Sequence, residues 1–159
     1  MQTLVVAGLF LFALFKIGYC IDCYSCISSD NPDCVDPETH HLDRVRCDQK
    51  SLSDTEKFAK SLTPDFGKIF EVHIHEHRVP LNCLKQVTKV QGREIIMRGC
   101  QLPKDDRLDV CKKVFEMPQG ELIDVKHCSL CDSDGCNGTT GRIAEVLLIL
   151  AAVLLTIIH

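Results

Sequence analysis

Apolar residues along this 159-residue chain form two blocks at its ends and a patterned stretch between them. Leu4 to Phe15 is interrupted only by small Ala and Gly residues, and Val146 to Ile158 only by Thr156. Between them, Leu84 to Val90 and Glu94 to Arg98 are β-prone runs on either side of Gln91-Gly92. Val87, Val90, Ile95 and Met97 are among their apolar members, so a hairpin is predicted with Cys83 and Cys100 at its base. A second hairpin is predicted from Lys112 to Phe115, turning near Pro118-Gln119-Gly120 and returning through Leu122 to Lys126, with Cys111 and Cys128 at its base. Proline suits such a turn because it fixes φ, and glycine because it permits positive φ. Cys23-Tyr24-Ser25-Cys26 reads as a short strand.

Residues 48–82 contain no cysteine. Ser53 followed by Glu56 has capping-box spacing, and Phe58, Ala59 and Leu62 share one helical face, predicting a short helix over Asp54 to Leu62. Glu56 and Lys60 are spaced for a small i,i+4 gain, and Pro64 ends the pattern. Farther on, His73, His75 and His77 alternate with Val72, Ile74 and Glu76. On a strand the three imidazoles share a face about 6.6 Å apart, too far to converge on one ion. An exposed polar face accounts for them, with pH-sensitive partner contact as the functional alternative.

The end blocks match processing signals. Met1 to Cys20 has the apolar core of a signal peptide, too short to span a bilayer comfortably, with Gly18 and Cys20 as the small residues before a cut at Ile21. At the other end, Asn137-Gly138-Thr139 is followed by a mostly polar spacer and the apolar tail, the pattern for attachment of a glycosylphosphatidylinositol (GPI) anchor. Thirteen helical residues cover about 20 Å against a hydrocarbon core of about 30 Å, and extension inward meets Glu145 and Arg142. The expected organisation is a signal peptide over residues 1–20, a domain over 21–137 and a removed propeptide over 138–159. Asn137 is the first choice as attachment residue and Gly138 the second. Asn137-Gly138-Thr139 is also a formal acceptor for N-linked sugar, so two modifications compete for one residue.

The expected mature segment holds ten of the chain's eleven cysteines, and its acidic residues outnumber its basic ones by five. A polar domain with a modest core and many cysteines fits an oxidising compartment, where disulfides stabilise it. Cys23/Cys26 and Cys128/Cys131 have CxxC spacing, but the targeting ends argue against zinc. The absence of a basic recognition patch argues against nucleic acid. There is no nucleophile elbow and no HExxH, oxidised cysteines are not nucleophiles, and Asp105-Asp106 reads as a solvated pair. No enzyme activity and no cofactor are implied.

Cys23-Tyr24-Ser25-Cys26 just after the signal peptide, Arg98-Gly99-Cys100, and the closing Cys128-x-x-Cys131-x-x-x-x-Cys136-Asn137 resemble the lymphocyte-antigen-six and urokinase-receptor superfamily, and within it the glycolipid-anchored insect members. The resemblance implies an all-β, small disulfide-rich, three-finger (snake-toxin-like) domain in which residues 48–82 form an atypical long insert that carries the short helix. It also implies bridges Cys23–Cys83, Cys26–Cys34, Cys47–Cys100, Cys111–Cys128 and Cys131–Cys136. Spacing alone leaves the pairing open. Further implied is a non-catalytic protein on the extracellular face of the plasma membrane. Its implied partners are membrane or junction proteins, with septate-junction assembly or trafficking as its role. Modulation of an ion channel or neurotransmitter receptor, or action as a secreted ligand, are the alternatives. Candidate contacts are Lys89 and Arg93 at the first hairpin tip, Met117 in the second, and Phe58 and Phe66 in the insert.

Overall fold

The computed structural model describes residues 21–72, 79–106, 108–118, 120 and 122–138. The expected signal peptide, the expected propeptide from Thr139 onward and the three histidines of residues 73–77 lie outside the described residues. Among the described residues, no helix is long and apolar enough to cross a membrane.

Two sheets carry the architecture. The smaller pairs β1 (Asp22–Cys23) with β3 (Val45–Arg46), and the larger has the order β2-β5-β4-β6, with β2 at Cys26–Ile27, β4 at Asn82–Val90, β5 at Arg93–Gln101 and β6 at Ile123–Cys131. β4 and β5 form a hairpin closed on Val90 and Arg93, with Gln91 at φ 49° and Gly92 at φ 85°. Two successive positive φ values in a two-residue loop match the right-handed twist of the strands, and glycine takes the second without strain. β6 joins the free side of β4, with a register shift between Val87 and Thr88.

The expectation of an all-β domain is overturned by three α-helices among the described residues, α1 (Gln49–Leu62), α2 (Pro64–Phe70) and α3 (Val110–Glu116), which make the fold mixed α/β. The longest, α1, begins five residues earlier than Asp54. Its N-cap is Asp48, whose carboxylate accepts from Ser51 N–H at 2.8 Å while Ser51 Oγ accepts from Asp48 N–H at 2.7 Å. This reciprocal pair satisfies two end donors, so Ser53 and Glu56 fall inside the helix. Pro64 ends α1 and also starts α2, where its missing N–H costs nothing and Thr63 caps Phe66 N–H at 3.2 Å.

The second expected hairpin is also corrected. Residues 112–115 belong to α3, capped by Asp109 on Lys112 N–H at 2.9 Å. Val110 and Val114, one helical turn apart, are both buried in the core. The return segment pairs with β4 instead. Helices and large sheet enclose one apolar cluster that includes Ala59, Phe66, Phe70, Leu84, Met97, Val110, Val114 and Val125. A second cluster gathers Ile21, Leu52 and the buried sulfurs of Cys23, Cys47, Cys83 and Cys100.

α1 lies directly on β5. Thr55 is fully buried; its Oγ donates to Ser51 C=O at 2.9 Å and accepts from Cys100 N–H at 3.0 Å. A Cβ at Gly99 would overlap Thr55 Oγ, so glycine is what admits the helix.

Candidate functional site

Five disulfides join Cys23–Cys83, Cys26–Cys34, Cys47–Cys100, Cys111–Cys128 and Cys131–Cys136. The sulfurs of Cys23, Cys47 and Cys100 come within 4.8 Å of one another, but all three are spent in disulfides and hold no thiolate for a metal. Asp105 is an ordinary turn residue, accepting from Leu108 N–H at 2.7 Å.

The domain has two distinct poles. At one, the start and end of the segment interlock. Asn137, 1% exposed, accepts from Tyr24 N–H at 3.1 Å through Oδ1, and its Nδ2 donates to Tyr24 C=O and Leu84 C=O, each at 2.9 Å. Both amide hydrogens are used. An N-linked sugar replaces one of them, so it would break a buried bond and force a bulky group into the interior.

Beside Asn137, Arg98 is the largest fully buried side chain. Its Nε donates to Cys34 C=O at 2.9 Å and its Nη2 to Val35 C=O at 3.1 Å. Nη1 donates to Asn137 C=O and, at 3.0 Å, to Gly138 C=O. Burial pushes the guanidinium pKa down, opposed by the charges of Glu38 and Asp36, yet arginine stays protonated. Lys85 Nζ reaches the same Gly138 carbonyl at 3.5 Å. Burial first, and Arg98 second, lower its pKa. Gly138 N–H donates to Gly135 C=O at 2.9 Å, and a Cβ at Gly138 would overlap the Glu38 carboxylate. Two cations thus converge on one buried carbonyl at the last described residue.

At the opposite pole are the β4–β5 turn and the start of β6, joined by Gln91 N–H to Leu122 C=O at 2.8 Å. Lys89 and Arg93 are exposed there, Leu122 is 68% exposed, and Phe115 on α3 is 46% exposed. The structure places Lys89 and Arg93 at the same turn but on opposite faces of the hairpin, since Lys89 lies opposite Glu94 and Arg93 opposite Val90. Met117 is half-buried and packs against the core, as does Phe58, while Phe66 is wholly interior and offers no surface to a partner.

Sequence reasoning missed Leu122 as an exposed apolar group and Arg98 as the clamp on the chain end. The former could have been noticed because Leu122 shares the alternation of Asp124 and Lys126 and not that of Ile123 and Val125. The latter has no local sequence signal, because its four carbonyl partners lie about 40 and 64 positions away.

Residues 21–137 match the family model described as the Quiver family u-PAR/Ly-6-like domain. The chain is 28% identical over 135 residues to the UPAR/Ly6 domain-containing protein CG9338 of Drosophila melanogaster, covering 83% of this chain and 80% of that protein. No solved structure matches. With the family model spanning the whole disulfide-bonded segment, the chain belongs to the Quiver family of u-PAR/Ly-6-like domains, a non-catalytic family of extracellular domains.

Proposed function

We propose that the protein is a GPI-anchored cell-surface protein that binds other membrane proteins through its β4–β5 turn and the neighbouring start of β6. The polarity of the domain carries this reading. The end that would bear the anchor is locked to Tyr24 and Arg98, while Lys89, Arg93 and Leu122 lie at the far end of nine-residue strands. Nine residues at about 3.3 Å each make a stiff spacer of about 30 Å. The tip has mixed charge, with Lys89 between Glu94 and Asp124 on one face and Arg93 on the other, around an exposed leucine. This suits a partner with a partly apolar surface of complementary charge, since apolar contact adds affinity and charge adds specificity. In this reading the biological role is assembly or trafficking of septate-junction components.

Phosphatidylinositol-specific phospholipase C is expected to release the full-length protein from expressing cells; retention after treatment would sink the anchor. Capture of the intact surface protein should enrich junction membrane proteins, and Leu122→Asp should reduce that enrichment. Enrichment of channel or receptor subunits in their place would overturn the junction role and favour receptor modulation.

A further inference from the structure

The niche occupied by Gly138 has three properties that a phosphoethanolamine group shares. Its entrance is an N–H donor, given to Gly135 C=O. Its middle lies against the Glu38 carboxylate, which would have to move to make room for a Cβ but leaves space for a CH2. Its exit is an oxygen acceptor held by Arg98 Nη1 at 3.0 Å and Lys85 Nζ at 3.5 Å. Glycine supplies an amide N–H, a CH2 and a carbonyl. Ethanolamine phosphate, once coupled through its amine, supplies an amide N–H, two CH2 groups and a phosphodiester, whose bridging oxygen corresponds to the Gly138 carbonyl oxygen and whose anionic oxygens lie two bonds beyond it.

We infer that in the mature protein the ethanolamine of the anchor, attached to Asn137, takes the place of Gly138, and that Arg98 and Lys85 hold its phosphate. The inference rests on the anchored reading above and selects Asn137 as the attachment residue. The bond chemistry balances without redox change. The ethanolamine amine adds to the Asn137 carbonyl carbon, the Asn137–Gly138 amide bond breaks, and Gly138 leaves as the amino terminus of the released peptide. The Asn137 side chain and its carbonyl bond to Arg98 are kept.

A phosphodiester suits the exit better than a carbonyl does. Two cations converge there on one neutral oxygen, and charge-assisted bonds to an anion are about twice as strong as those to a neutral acceptor. Glu38 and Asp36 are the acidic groups whose charge reaches Arg98, and they oppose the phosphate. Together they balance the charges of Arg98 and Lys85, so the phosphate is held by direct bonds to these two groups and not by a net positive field.

The test uses full-length protein expressed on insect cells and released by phospholipase C, which leaves the ethanolamine phosphodiester on the chain and removes the lipid. Mass measurement of the carboxyl-terminal peptide is expected to place ethanolamine phosphate on Asn137; modification of Gly138 or a later residue overturns the inference. The phosphorus resonance of this phosphodiester is expected to be broader in native protein than in reduced, denatured protein, and to shift in Lys85→Met. A resonance as narrow in native as in denatured protein overturns phosphate binding even with Asn137 modified. Gly138→Ala is expected to yield the same mature mass as the unsubstituted chain, because residue 138 departs with the propeptide; retention of the alanine overturns the assignment. If no ethanolamine is found on the chain, the anchored reading itself fails.

Discussion

A single side chain, Arg98, connects more of the chain than any of the residues singled out from the sequence. Its donors meet the carbonyls of Cys34 and Val35 on one side and of Asn137 and Gly138 on the other. Backbone carbonyls buried without a donor are costly, about 1–3 kcal/mol each where no water replaces the bond. Arg98→Met keeps the apolar stem and removes all of these donors. It is expected to lower stability by about 3 kcal/mol or more, read as a lower urea midpoint with an unchanged slope. Arg98→Lys should recover only part of the loss, since an ammonium cannot spread its donors over so planar an arc.

At the scale of the elements, the seating of α1 on β5 is the feature most open to a direct test. Gly99→Ala forces a methyl group into Thr55 and is expected to cost about 1–3 kcal/mol by overpacking. Thr55→Ala removes the Oγ and the methyl that the new group meets, so Gly99→Ala should cost less in the Thr55→Ala background than in the unsubstituted chain. If Gly99→Ala lowers the melting temperature equally with and without Thr55→Ala, the cost arises elsewhere. The same contact separates what the sequence revealed from what it concealed. The Gln91-Gly92 turn was legible because its residues must supply positive φ, and the apolar face of α1 was legible in Phe58, Ala59 and Leu62. α3 was concealed because Lys112 to Phe115 is too short a run to distinguish a period of 2 from one of 3.6. Its assignment depended on Val110 and on the Asp109 cap. The partner of β6 was hidden too, since β4 lies some forty residues upstream and no local pattern encodes such pairing. In the candidate site, Lys89 and Arg93 were legible as turn-flanking charges. Phe66 was not legible as a core residue while Pro64 was read only as a helix end, although Thr63-Pro64 is also a cap followed by proline at a first helical position.

The behaviour of the whole molecule with pH follows from carboxylates on its helices. Asp54 is held below its ordinary pKa by a hydrogen bond from Lys57, then by Lys50, and burial opposes them. Asp109 is held low by a hydrogen bond from Lys104 and by its cap on Lys112 N–H. A carboxylate with a depressed native pKa binds fewer protons folded than unfolded. The stabilisation is therefore complete above the ordinary carboxylate range and is lost as pH falls through that range toward the lower folded values. Urea midpoints are expected to be flat near neutrality and to fall in acid. Asp109→Asn should make the acid fall shallower; an unchanged slope would remove Asp109 from the account.

The interlock of Tyr24 with Asn137 also has a consequence for biosynthesis. These residues are 113 positions apart, so the chain's opening strand waits for its closing turn until nearly the whole domain has been translated. Cys23 must likewise wait for Cys83, 60 residues later, about 3–12 s at ordinary elongation rates of about 5–20 residues per second. During that interval Cys47 already exists, and in the finished domain its sulfur lies 3.1 Å from that of Cys23. The nascent chain thus carries a wrong partner close to hand before the right one has been made, and its yield will depend on how promptly an oxidoreductase can undo that early bridge.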